Sequence, residues 1–201
     1  MEYIRHLSKD KTLRKLLQKH EPVKLVKRRK VLIHLCGCIM SQQLSVKVAD
    51  VIHKRFLHLF GGDPTALQIL DTPMETLRSI GLSRAKAQYV RNVAQFALEQ
   101  GIEYRKLNRM SNEAVMEYLM QIKGVGRWTS EILLMFILGR EDVFCAQDLG
   151  IRQAMTRLYQ LDDRNDKNLT EQMLEIAASW SPYRTYACVH LWRYKDNSPE
   201  K

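Results

Sequence analysis

The stretch from Leu119 to Ile132 reads L-M-Q-I-K-G-V-G-R-W-T-S-E-I, and a short polar link leads from it to Cys145–Arg152, C-A-Q-D-L-G-I-R. Gly124 and Gly126 flank Val125 between two helical stretches, so the chain is expected to turn sharply there and let a ligand approach its backbone unobstructed. Ser111 is expected to start the helix before the turn. Thr129 is expected to begin the one after it, whose unpaired N–H groups and hydroxyls favour an anion such as a phosphate. A buried helix-helix turn is the competing reading of G-x-G alone, and Lys123, Arg127 and the positive charge of the chain weigh against it. The second segment places a lone carboxylate, Asp148, at the head of a further helix, where an Asp is ordinarily an N-cap.

Outward from this segment helix follows helix, with no convincing strand. Ile4, Leu7, Leu13, Leu16 and Leu17 fall mostly on one face, predicting an amphipathic helix from Tyr3 to His20 that ends before Pro22. Val31 to Met40 reads as an apolar helix. Val48, Val51, Ile52, Phe56, Leu59 and Phe60 repeat through Ser45 to Phe60, which Gly61-Gly62 closes, and these two helices are expected to pair antiparallel. Thr72-Pro73-Met74-Glu75 predicts a capping box opening a short helix to about Ile80, stopped by Gly81. Ser83 caps a helix ending near Gly101, to which Arg84, Lys86 and Arg91 give a basic aspect. Asn168-Leu169-Thr170-Glu171 and Ser181-Pro182 start the last two helices, over 169–179 and 182–194. The expected class is all-α.

A chain of 201 residues with 45% hydrophobic content fits one globular unit of up to two lobes. Lys and Arg number 32 against 22 Asp and Glu, a net charge of +10 that calls for a polyanionic partner. Nucleic acid leads over an anionic membrane, because no apolar stretch approaches the roughly 18 residues of a spanning helix. The N-terminus lacks a signal-peptide core, so the expected location is cytoplasmic, or nuclear in a eukaryote. Cys36, Cys38, Cys145 and Cys188 match no zinc or iron-sulfur spacing and are expected to be reduced and buried. The six histidines form no H-x-x-x-H pair, so neither a side-chain metal site nor an organic cofactor is expected; His34, His53 and His58 read as packing or surface residues. Lys24, Lys27, Arg28, Arg29 and Lys30 read as a solvated face before the core.

Taken together, these residues resemble the helix-hairpin-helix DNA glycosylase superfamily, whose motif L-x-x-I/L-x-G-V/I-G-x-x-T-A precedes a link ending in Asp. The match falls on Leu119, Ile122, Gly124, Val125, Gly126, Thr129, Ser130 and Asp148. Within it the chain is similar to the 3-methyladenine DNA glycosylase II, or alkylation-repair, branch through Met40–Ser45, Gly81–Ala87, Asp142–Phe144 and Trp180–Ala187. The resemblance spans residues 30 to 194. Members that also cut the strand carry a Schiff-base lysine where this chain has Trp128, and indole cannot form that adduct, so a monofunctional enzyme is implied. The four-cysteine cluster of the endonuclease III branch is missing. With about 30 residues before the core, a compact form without an N-terminal β domain is expected.

The resemblance implies a two-lobed fold with the active-site cleft between lobes. Lobe A is a six-helix body over about 30–138 ending in the hairpin; lobe B joins residues 1–29 to 139–201. It implies hydrolysis of the N-glycosidic bond of alkylated purines, chiefly 3-methyladenine, in double-stranded DNA, by a monomer. Such a base is cationic and leaves readily, so the positive charge that develops on the sugar is what needs a carboxylate, and Asp148 takes that role. Trp128, Trp180 and Tyr183 are the candidate aromatic walls for the cationic base. Ile132 and Leu149 stand where branch members often carry Tyr. Gln42, Gln43 and Leu44 form the segment that fills the gap left by the extruded base, with Gln43 or Leu44 inserting. Gly124, Val125, Gly126, Arg127 and Thr129 grip the backbone, helped by Arg84 and Lys86, and the hairpin carbonyls suit a monovalent cation. Two rivals are a non-catalytic helix-hairpin-helix module that binds damaged DNA and a glycosylase for oxidised or mismatched bases.

Overall fold

The computed structural model describes residues 1–197, and their regular structure is entirely helical. In order the helices are α1 Glu2–Leu7, α2 Lys11–Lys19, α3 Val31–Ser41, α4 Val46–Leu59, α5 Ala66–Asp71, α6 Met74–Ser79, α7 Arg84–Glu99, α8 Tyr104–Asn108, α9 Asn112–Met120, α10 Arg127–Phe136, α11 Leu149–Tyr159, α12 Asp166–Ala178 and α13 Arg184–Asn197. They fall into two compact units: one runs from Val26 to Leu138, and the other joins Met1–Leu25 to the chain from Gly139 on.

In the Val26–Leu138 unit, α3 carries apolar side chains on most of its circumference, and it packs against α4, α7 and α10. A helix hydrophobic nearly all round belongs inside. Leu35, Ile39, Met40, Phe56, Ile69, Val90, Leu119 and Leu133 are inaccessible there. Each such side chain contributes about 2 kcal/mol of apolar transfer. Eight helices rather than six lie in this unit, because α5 and α8 hold six and five residues and are too short to leave a period in the sequence. The capping box sits at Thr65 and Gln68, not at Thr72. Pro73 is the N-cap of α6, the Thr72 hydroxyl donates to the Gln68 carbonyl, and Glu75 pairs with Arg78 instead of reaching back. Ser83 and Ser111 cap α7 and α9 as expected, accepting from the amides of Lys86 and Ala114. The basic run from Lys27 to Lys30 is exposed, with Lys30 paired to Asp63.

The second unit is assembled from both ends of the described chain. The single helix expected from Tyr3 to His20 is two, broken at Asp10, whose carboxylate accepts from the amides of Thr12 and Leu13 and so opens α2. The other oxygen of Asp10 accepts from the Tyr159 hydroxyl at 2.8 Å and from Trp180 Nε1 at 3.0 Å. Tyr3 stacks on Tyr186 with ring centroids 4.1 Å apart. Here α13 packs against α2 and α11, burying Leu13, Leu16, Met155 and Leu191. Asn165 rather than Asn168 caps α12. His190 of α13 is 1% exposed and lies 3.2 Å, nitrogen to nitrogen, from His20. Burial, aided by the positive charges of His20 and Arg193, pushes His190 down to about 4.

Candidate active site and nucleic-acid interface

The hairpin joins α9 to α10 through Gln121–Gly126. Gly124 sits at φ +106, and a Cβ built on it would fall 2.2 Å from the ring of Tyr89 on α7, so only glycine satisfies both the dihedral and the space. Gly126 is different. Its φ is −99, and a Cβ there would meet nothing within 4 Å, which leaves the approach to the start of α10 open. Helix α10 begins at Arg127, two residues earlier than expected, with no side-chain cap on Gly126. Opening amides without a cap, at the positive end of the helix dipole, suit a phosphate oxygen. The hairpin carbonyls of Ile122, Lys123 and Gly124 each accept one hydrogen bond, from Val125 N, Asn92 Nδ2 and Gln42 Nε2.

The side chains around the hairpin depart from expectation in an instructive way. Thr129 and Ser130 are buried, so their hydroxyls serve the fold: Thr129 accepts from Gln42 Nε2 at 3.1 Å, and Ser130 donates to the Gly126 carbonyl. Thr129 therefore offers no hydroxyl to an incoming anion. Val125 is 5% exposed and packs inward. Lys123 and Arg127 are both exposed, and Arg127 Nε lies 2.9 Å from Glu131, a carboxylate buried on α10 that was not expected from the sequence. A buried carboxylate is tolerable only with such partners, and the pair holds the guanidinium beside the helix start. Trp128 follows on the first turn of α10, half-buried.

Lys86 is turned away from any phosphate, because its ammonium donates to the carbonyls of Met40 at 3.0 Å and Gln42 at 2.6 Å. Gln42 is likewise committed inward through its amide. Of the expected inserting segment, Gln43 and Leu44 are exposed, with Gln43 in the left-handed region at φ +56. Arg84 is exposed on the first turn of α7, while Arg91 donates to the Thr72 carbonyl.

In the second unit Asp148 is the N-cap of α11. Its Oδ1 accepts from the Ile151 amide at 2.9 Å and from Trp192 Nε1 at 2.7 Å, so two donors from two helices fix one half-buried carboxylate. Gly150 makes room for this, since a Cβ there would lie 3.1 Å from the Trp192 ring and 3.2 Å from the same Asp148 oxygen. The loop before Asp148 hangs on the head of α13. Asp142 accepts from Arg184 Nε at 2.6 Å, Arg184 Nη2 at 2.9 Å and Ser181 Oγ at 2.8 Å, while Thr185 bridges the Arg140 carbonyl and the Val143 amide. Burial works against ionisation of Asp142, but the hydrogen bonds from Arg184 and Ser181 outweigh it and hold the carboxyl below its ordinary range. Leu149, beside Asp148, is 69% exposed, so an apolar surface borders the carboxylate.

Trp192 is the aromatic residue found on Asp148; neither Trp180 nor Tyr183 is brought there. Trp180 is 1% exposed, with its indole committed to Asp10 and its edge against Phe144, so it is a core residue rather than a base-pocket wall. Tyr183 packs on His6 and borders a cavity of about 500 Å³ with Tyr3, Val23, Glu141 and Tyr186. Among the described residues no cluster of three or more His, Cys, Asp or Glu side chains forms a metal-ligand set, and the four cysteines are free.

The model of the family described as HhH-GPD superfamily base excision DNA repair protein matches residues 36–179. The chain is 36% identical to DNA-3-methyladenine glycosylase 1 of Schizosaccharomyces pombe, over 91% of its own length and 80% of that protein's. Among solved structures it is similar to the 3-methyladenine DNA glycosylase Mag1 of Schizosaccharomyces pombe in complex with abasic DNA, with a TM-score of 0.89, 30% identity and full coverage of both chains. It is also similar to the DNA-3-methyladenine glycosidase of Bacillus halodurans, with a TM-score of 0.81 and 30% identity over 98% of this chain and 90% of that one.

Proposed function

Because the chain belongs to the HhH-GPD superfamily of base excision DNA repair proteins, we propose that it is a monofunctional DNA glycosylase that hydrolyses the N-glycosidic bond of alkylated purines in double-stranded DNA, 3-methyladenine foremost. The observation that carries this reading is the carboxylate of Asp148, held on one oxygen by Trp192 and the head of α11. Alkylation at N3 or N7 makes the purine a cation and a good leaving group, so the sugar rather than the base needs help. A preorganised anion facing the sugar stabilises the oxocarbenium-like transition state and orients the attacking water.

The remaining parts have matching roles. The uncapped start of α10 and Arg127 hold the sugar-phosphate backbone without reading sequence. Gln43 and Leu44 enter the stack vacated by the extruded nucleotide. Trp128 offers its indole face to the cationic base, a contact worth about 0.5 to 2 kcal/mol. Trp128 also stands where a lyase needs an amine, so the product is an intact strand with an abasic site.

The decisive experiment measures base release from methylated duplex DNA by the wild type and Asp148→Asn, with strand integrity scored before and after hot alkali. Asn caps a helix as well as Asp, so the fold is kept. Release should fall by about a hundredfold or more, the scale for removing a preorganised electrostatic group, while duplex binding persists. Undiminished release would overturn the assignment, and strand cleavage before alkali would overturn its monofunctional part. A mixed-lesion duplex, analysed for the free base that is released, tests the preference for alkylated purines.

A further inference from the structure

Within the Val26–Leu138 unit, three separate contacts meet on the turn that follows α3. Its residue Gln43 is in the left-handed region, one of two non-glycine residues to be so among the described residues. Such a backbone is sterically disfavoured, so its surroundings must hold it. Lys86 of α7 is one support: its ammonium spans the Met40 and Gln42 carbonyls, which lie at the C-terminal end of α3. A cation there both satisfies carbonyls left over by the helix and complements the negative end of its dipole. The other support is the Gln42 amide, which spans the Gly124 carbonyl of the hairpin and the buried Thr129 hydroxyl at the head of α10. The turn is thereby tied to α7 on one side and to the hairpin on the other, with Gln43 and Leu44 left exposed at its tip.

We propose that Lys86 and Gln42 are positioning residues for base extrusion: they hold the Gln43–Leu44 tip as a rigid wedge and tie it to the hairpin that grips the DNA backbone. This rests on the reading of the chain as a base-releasing glycosylase. A wedge that is ordered beforehand loses little conformational freedom when it enters the stack, whereas a slack turn must be ordered at the expense of opening the duplex. Lys86 is suited to the task because a compact ammonium with three donors can serve two carbonyls at once. Met in its place keeps the stem and loses every donor; Arg keeps the charge and donors in a different shape.

The test compares single-turnover release of methylated purine from duplex and from single-stranded DNA, because a single strand has no stack to open. Wild type, Lys86→Met, Lys86→Arg and Gln42→Leu are measured as full chains, with 2-aminopurine beside an abasic analogue reporting unstacking. Lys86→Met should lose about tenfold on duplex, the effect of forfeiting part of the extrusion free energy. It should change release from single strands less than about twofold, and Lys86→Arg should recover part of the loss. Gln42→Leu should show the same duplex-selective defect, which keeps the proposal testable if one variant folds poorly. Equal losses on both substrates would overturn it by marking a general structural role. So would unchanged unstacking with a salt slope smaller by about 0.9, the signature of one lost phosphate contact. A wild type that releases no base from either substrate would instead overturn the glycosylase reading beneath it.

Discussion

In the Val26–Leu138 unit the groups that would meet a nucleic acid are main-chain amides, Arg127 and the tip of a turn, and the side chains that hold this backbone act on it directly: Lys86 and Gln42 on carbonyls, Tyr89 beneath Gly124. In the other unit the working group is a side-chain carboxylate whose indole partner lies 44 residues further along. A backbone device tolerates few substitutions at its tight points and many elsewhere. A side-chain device depends on each donor. Gly124 should therefore fail through shape and Asp148 through loss of single hydrogen bonds.

The largest effect that would sharpen this contrast is at Gly124. Gly124→Ala places a methyl on the Tyr89 ring at φ +106, and strain plus overlap should destabilise the fold by about 3 kcal/mol or more, read as a drop in Tm together with weaker duplex binding. If Gly124→Ala melts like the wild type, the shape argument fails. Next is the pH dependence carried by His190, whose folded pKa of about 4 lies below the ordinary 6.5. A lowered value means that the unfolded chain binds the proton more tightly. Stability is thus complete above about pH 6.5 and lost as pH falls towards 4, amounting to about 3 kcal/mol. Denaturant titrations should show this slope in the wild type and a flatter one in His190→Leu.

Smaller, and confined to chemistry, is Trp192→Phe. An aromatic ring is kept but the indole N–H to Asp148 is gone, so base release should slow about tenfold, the scale of one hydrogen bond to a charged group, with DNA affinity unchanged. A change in affinity without a change in rate would erase the distinction between the units. The smallest effect is expected at Gly150→Ala, where the added methyl meets Trp192 and Asp148 at 3.1 and 3.2 Å and need only nudge them, costing about threefold in rate for a shift of that kind.

The same contrast explains what could be read before any coordinates. The hairpin, the Asp148 cap and the starts of α7 and α9 are local: their residues lie three or four apart, and the chemistry of turns and caps names them. Trp192 was invisible because it follows Ala187, Cys188, Val189 and Leu191 and so resembles packing until Asp148 is seen beside it. Trp180, assigned to the base, belongs to Asp10, a partner 170 residues away that no periodicity reports. Lys86 looked like a surface cation because a sequence does not say which way a long stem turns. Glu131 did leave a signal, being the lone acid of α10 and four residues after Arg127, the spacing of a helical ion pair.

The way the second unit is gathered from both ends has a consequence for synthesis. Ribosomal emergence is vectorial, so α1 and α2 leave the tunnel well before the Tyr159, Trp180 and Tyr186 that Asp10 and Tyr3 require. The middle unit can condense meanwhile. Until residues 159–191 have emerged, Leu13, Leu16 and Leu17 remain without their final neighbours, an exposed apolar stretch of the kind that chaperones cover.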